Sequence, residues 1–131
     1  MSTESCRFCN RPDERAVMVN DLVQAWYDRH PVSDGHMLIV PRRHFADYFD
    51  CTPAERDALW AMVADAKAHL DEKHSPDGYN VGINVGRAAG QSVMHLHIHL
   101  IPRYAGDVED PQGGVRSVIP AKRKYTLAEH S

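Results

Sequence analysis

The sequence predicts an α+β fold built on a mainly antiparallel sheet. Short strand-forming runs lie in both halves of the chain, one long helical pattern separates them, and turn signals fall between them. At 131 residues the chain fits a single compact domain spanning 1–131.

Residues 17–20 and 22–27 are apolar stretches separated by Asn20-Asp21, a turn pair, so they predict a β-hairpin. Gly35 opens the run from His36 to Val40, a short strand that Pro41 stops. The best-marked element follows. Thr52-Pro53-Ala54-Glu55 reads as a capping box with proline in the first turn, and Leu59, Met62, Val63, Ala66 and Leu70 recur on one helical face. This helix should run to about Lys73, before the turn cluster Ser75-Pro76-Asp77-Gly78. Residues 79–85 predict a strand, 86–90 a small-residue loop, and 93–101 a second strand ended by Pro102-Arg103. A brief strand is expected at 115–119.

Composition narrows the function. Hydrophobic residues make up 43% and charged residues 25%, the ordinary balance of a folded domain. No apolar run reaches the ~18–20 residues that cross a bilayer. The first residues lack the basic and apolar pattern of a secretory signal, so a soluble cytoplasmic protein without a membrane partner is expected. A formal charge of −3 argues against nucleic-acid binding, and Lys122-Arg123-Lys124 reads as a solvated surface run.

Nine histidines in so short a chain point to metal or acid–base chemistry. Three of them, His95, His97 and His99, alternate with Leu96, Ile98 and Leu100. On a regular strand they would share one face while the aliphatic residues pack into the core. Two chemistries fit that face. The imidazoles could converge on a catalytic metal, or one of them could be a nucleophile or general base.

Cys6-x-x-Cys9 reads as a metal half-site or a redox pair. Two histidines would complete a closed Cys₂His₂ zinc site, and the best candidates are His44, after the proline-ended strand, and His95. A closed site is structural, which would leave His97 and His99 for chemistry. Cys51 stands alone and reads as a small, semi-buried residue. Asn84, Gly90, Gln91 and Ser92 supply amide, hydroxyl and backbone donors suited to a phosphate. Trp26-Tyr27-Asp28 could stack a base and hold a ribose, or simply be core aromatics with a turn aspartate.

The stretch from Gly90 to Arg103, with Gly90-Gln91 before His95-Leu96-His97-Ile98-His99, resembles the histidine triad (HIT) family. The likeness extends to Ala25-Trp26-Tyr27-Asp28, to the run from Gly35 to His44, and to Cys6-x-x-Cys9. The motif-bearing core is thus about 6–103, with 104–131 as an extension.

The resemblance implies about five antiparallel strands with one long and one shorter helical element, and a homodimer. It implies attack on the α-phosphorus of a nucleotide through a covalent nucleotidyl-histidine, with His97 as nucleophile and His99 on the phosphate. Asn84, Gln91 and Ser92 would position phosphate oxygens or the leaving group. Trp26 would border the base and Asp28 hold the ribose. Structural zinc would sit on Cys6, Cys9, His44 and His95. Within the family, Pro102-Arg103 and the Gly-rich stretch after it favour dinucleoside polyphosphate hydrolases. Nucleoside phosphoramidases and a non-catalytic nucleotide-binding module are the alternatives. Arg116 reads as a surface arginine.

Overall fold

A computed structural model describes residues 5–11 and 15–125. Its sheet has five strands: β1 (Met18–Val19), β2 (Val23–Tyr27), β3 (Met37–Pro41), β4 (Gly78–Ile83) and β5 (Ile98–Arg103). Their spatial order is β1-β2-β3-β5-β4, and every neighbouring pair is antiparallel. The expected α+β class is what the chain adopts. The β1–β2 hairpin turns where Asn20-Asp21 predicts it, with the Asn20 side-chain oxygen accepting from the N–H groups of Leu22 and Val23.

Helix α1 (Pro53–His74) starts as its sequence dictates. The Thr52 hydroxyl accepts from the Glu55 N–H at 3.1 Å, and the Glu55 carboxylate accepts from the Thr52 N–H at 2.9 Å. Ser75, left-handed at φ 48°, ends it. A short 3-10 turn at Tyr48–Asp50 leads into it.

Alternation gives the sheet two faces with different jobs. Val23, Ala25, Met37, Ile39, Ile98 and Leu100 pack under Leu59, Met62, Ala66 and Leu70 of α1, with Leu96 in the same core. Truncating a fully buried member such as Leu70 to alanine should cost roughly 2–5 kcal/mol. On the opposite face Trp26, Leu38 and Val40 form a second cluster capped by Phe8. Register sets Trp26 opposite Leu38, and Leu38 opposite His99, so these three form one row across β2, β3 and β5. The site lies on this face.

Three local expectations fail. The strand expected at 93–101 begins only at Ile98. Continuing the β3–β5 ladder backwards would pair Val40 with His97 and Pro41 with Leu96, and Pro41 has no N–H to give. Instead the Leu96 N–H donates to the Phe45 carbonyl at 2.7 Å, and 93–95 bend away. The other end is longer than expected. Here β5 runs through Pro102 to Arg103, where β4 is its sole ladder partner, a position that tolerates a missing N–H. Finally, the expected strand at 115–119 is a 3-10 helix over Gly114–Val118. Gly113 precedes it and Gly114 opens it, with φ of 97° and 50°, and a Cβ on Gly113 would stand 2.0 Å from the Arg123 carbonyl oxygen.

Candidate functional site

Segment 6–11 brings Cys6 and Cys9 to His44 and His95. The four donor atoms, two Sγ and two imidazole nitrogens, lie within 4.8 Å of one another. Cys9 Sγ is 3.2 Å from His44 Nδ1 and 3.4 Å from His95 Nδ1, Cys6 Sγ is 3.5 Å from His95 Nδ1, and the two Nδ1 atoms are 3.1 Å apart. A tetrahedron with ordinary Zn–S and Zn–N bonds has edges of roughly 3.3–3.8 Å. The donor set therefore fits such an ion. With no cation, burial and the Cys6 sulfur push the Cys9 thiol up to about 11, so Cys9 resists ionising until a positive charge joins it.

Hydrogen bonds fix the tautomer of each triad histidine. Only a donor can face a carbonyl, so His95 Nε2 donates to the Pro41 carbonyl at 2.7 Å and leaves Nδ1 bare towards the cysteines. His97 Nδ1 donates to the His95 carbonyl at 2.8 Å, leaving Nε2 with a free lone pair. His99 takes one step more. The Val32 N–H donates to His36 Nδ1 at 3.1 Å, so a neutral His36 carries its proton on Nε2. That Nε2 lies 3.0 Å from His99 Nδ1, which must then accept, and His99 keeps its own proton on Nε2. Burial depresses all three triad imidazoles and His36, with His99 lowered to about 4 by burial and by its neighbours His97 and His36. The neutral forms assumed above are thus the ones the site favours.

His97 and His99, with ring centroids 5.1 Å apart, open into a cavity of about 420 Å³, a usual size for a small-molecule site. Its wall also contains Trp26, Asp28, Asn84, Gly90 and Ser92. Among the described residues, four arginines, Arg7, Arg11, Arg15 and Arg29, line it together with one carboxylate, Asp28. This concentrates positive potential at the cavity and suits an anionic ligand. Asp28 Oδ1 accepts from the His30 N–H at 2.9 Å, and its Oδ2 lies 3.5 Å from His36 Nε2.

The structure thus groups Cys6, Cys9, His44 and His95 in one cluster, and His97, His99, Ser92, Asn84, Gly90, Trp26 and Asp28 around one cavity. Gln91 is the exception. Its side chain is buried away from the cavity wall, where it ties down the loop, accepting from the Gly86 N–H and donating to the carbonyls of Ala46 and Val93. Arg116 faces the tail, donating to the Lys122 carbonyl.

Sequence reasoning passed over Phe8, the arginines and His36. Phe8 lies inside the Cys6-x-x-Cys9 knuckle and packs edge-on against Trp26 and His97. Arg7 and Arg11 flank it. The only signal was their closeness to the cysteines. His36, at the entry to an apolar strand, gave no pattern of its own.

Comparison with known proteins follows the same lines. The HIT domain family model matches residues 10–106. An AP-4-A phosphorylase from Mycobacterium tuberculosis is 37% identical over 98 residues, covering 72% of this chain and 50% of that protein. An asymmetrical bis(5'-nucleosyl)-tetraphosphatase from Schizosaccharomyces pombe is 34% identical over 89 residues, covering 68% and 49%. The chain spans about half the length of these two enzymes. A solved Zn-bound histidine triad family protein from Mycobacterium smegmatis superposes with a TM-score of 0.72 at 27% identity, covering 99% of this chain and 100% of that one.

Proposed function

The chain belongs to the HIT domain family, and from that premise we propose that it is a nucleotide hydrolase or nucleotidyl transferase that cleaves a dinucleoside polyphosphate at its α-phosphorus. The observation that carries the reading is the pair of opposed tautomers: a bare Nε2 on His97 beside an Nε2–H on His99, both opening into one cationic cavity. The enzymes named above act on such substrates, which supports that choice.

In this reading His97 Nε2 attacks phosphorus in line. A P–N bond forms as the P–O bond to the remaining phosphate chain breaks, with inversion. The His97 Nδ1–H stays on the His95 carbonyl and stabilises the charge that the ring acquires. His99 donates its Nε2–H to the phosphate or the departing oxygen, while Ser92, Asn84 and the Gly90 backbone meet the other oxygens. Trp26 borders the base and Asp28 holds the ribose. Water or another acceptor then attacks phosphorus and breaks the P–N bond, releasing a nucleoside monophosphate or its transferred form. Gln91 acts by holding the loop.

Zinc on Cys6, Cys9, His44 and His95 would tie segment 6–11 to the histidine segment, and with four protein ligands it would leave no position for substrate. Thiolate ligands need a reducing compartment, so the cytoplasm is the proposed location. No helix among the described residues is long and apolar enough to cross a membrane. We take 1–131 as one domain that works as a homodimer, which sedimentation would test.

The test is product release from diadenosine tetraphosphate and from adenosine phosphoramidate by the zinc-loaded protein and its His97→Asn variant. Adenosine monophosphate from the tetraphosphate, lost with the substitution, supports the reading. Faster cleavage of the phosphoramidate would move the substrate class. Turnover that survives the substitution would remove His97 as nucleophile.

A further inference from the structure

Arg7 lies between Cys6 and Cys9, in a turn that closes on Cys6. The Cys9 N–H donates to Cys6 Sγ at 3.4 Å, and Asn10 donates to the Cys6 carbonyl from its backbone N–H at 3.2 Å and its side-chain amide at 3.0 Å. That turn sends neighbouring side chains to different places. Phe8 packs inward, edge-on to Trp26 and His97. Arg7 stays exposed on the cavity wall, with its guanidinium carbon 5.8 Å from the Phe8 ring centroid. Its charge also reaches the proposed nucleophile, where it adds to burial in holding the His97 imidazole low. Arg15 and Arg29 instead bear on Arg11, whose guanidinium covers the Trp26 indole. Packing and field together place Arg7 at the His97 end of the cavity.

The side chains assigned to the α-phosphate at that end carry no charge. Ser92 and Asn84 are neutral, and burial keeps His97 and His99 neutral. A dinucleoside polyphosphate brings further anionic phosphates and a second nucleoside. At about 420 Å³ the cavity lies near the small end of ligand sites and suits one nucleotide, so the rest of the chain must cross its rim. We infer, on the footing of the proposed nucleotide site, that Arg7 binds the phosphate chain beyond the α-phosphorus and so selects polyphosphate leaving groups over amines. A guanidinium takes two phosphate oxygens at once through its forked N–H groups. The departing chain gains negative charge as its P–O bond breaks, so a fixed cation there favours departure. An amine leaving group offers no such acceptor, and the α-phosphate is common to both classes.

The experiment measures kcat/KM for diadenosine tetraphosphate, diadenosine triphosphate and adenosine phosphoramidate, beside zinc content, Tm and calorimetric binding of AMP. It compares the zinc-loaded full chain with its Arg7→Gln and Arg7→Lys variants. Arg7→Gln should lower kcat/KM for both dinucleotides by about 10- to 100-fold, the scale of a hydrogen bond to a charged group. Phosphoramidate cleavage, AMP binding, zinc and Tm should hardly change. Arg7→Lys keeps the charge without the fork and should recover part of the loss. The ratio of dinucleotide to phosphoramidate cleavage within one preparation cancels any loss of active protein, and AMP binding gives a second reference. An unchanged ratio in Arg7→Gln, from equal losses or from none, would overturn the inference and leave the nucleotide site standing. A wild-type protein that cleaves neither dinucleotide would overturn both together.

Discussion

The Phe8 ring meets His97 edge-on, with centroids 5.1 Å apart and planes at 85°. Phe8 sits between Cys6 and Cys9, so whatever fixes the cysteines also fixes the wall behind the proposed nucleophile. Zinc removal, or Cys9→Ser, should therefore release the ion and lower Tm by about 10 °C or more, at roughly 3–5 °C per kcal/mol for a domain of this size. Activity should fall with it because the Phe8–His97 contact loosens. Metal analysis beside a thermal melt and a rate measurement checks this. A variant that loses its zinc but keeps its Tm and full activity would refute the structural role.

His36 is a positioning residue that acts through His99. His36→Leu removes the Nε2–H that faces His99 Nδ1 and frees the ring to turn. It should lower kcat by up to about 100-fold, the cost of a small misplacement, with little change in KM. His36→Gln, which can still donate from its amide nitrogen, should recover part of the loss. Equal losses in both variants would make the role one of packing alone.

Gln91 and Ser92 are neighbours with separable roles. Gln91→Leu strips three hydrogen bonds, one of them fully buried, from the loop and should cost about 1–3 kcal/mol of stability together with activity. Ser92→Ala, on the cavity wall, should lower activity and leave the denaturation midpoint almost unchanged. Denaturation curves beside kcat/KM for both variants decide it.

How far the sequence revealed this molecule depended on how local each signal was. The α1 capping box, the Asn20 turn and the Cys6-x-x-Cys9 pair were legible because each is decided by residue chemistry at fixed spacing. The bend at 93–97 was not. It arises from Pro41, more than fifty residues earlier, which meets this segment only once the sheet is formed. His36 was hidden for the same reason, since its tautomer is set by Val32 and its target lies on another strand. Gln91 looked like a phosphate ligand because its position is right. Only packing shows its amide turned inward to Ala46 and Val93.

Glu55 gives a pH-dependent term far from the cavity. The Arg43 guanidinium, first, and the Thr52 N–H hold its carboxyl below the usual range, against the opposing effect of burial. A depressed folded value stabilises the protein above the unfolded Glu value of about 4.3 and is lost as pH falls through the folded value. Arg43 is half exposed, which weakens the pair, so Glu55→Gln should cost about 1–2 kcal/mol at neutral pH. That difference should shrink as pH drops from about 5 towards 3. Urea melts of both proteins across this range provide the check, and a gap constant with pH would contradict it.

The central claim is that His97 Nε2 forms a bond to phosphorus, and acid-sparing quench of the zinc-loaded protein with its dinucleotide, followed by peptide mass analysis, tests it most directly. A nucleoside monophosphate adduct on His97 is expected within the first turnover, absent from His97→Asn and enriched when His99 is replaced. Turnover at the full rate with no adduct, or an adduct on another residue, would contradict it.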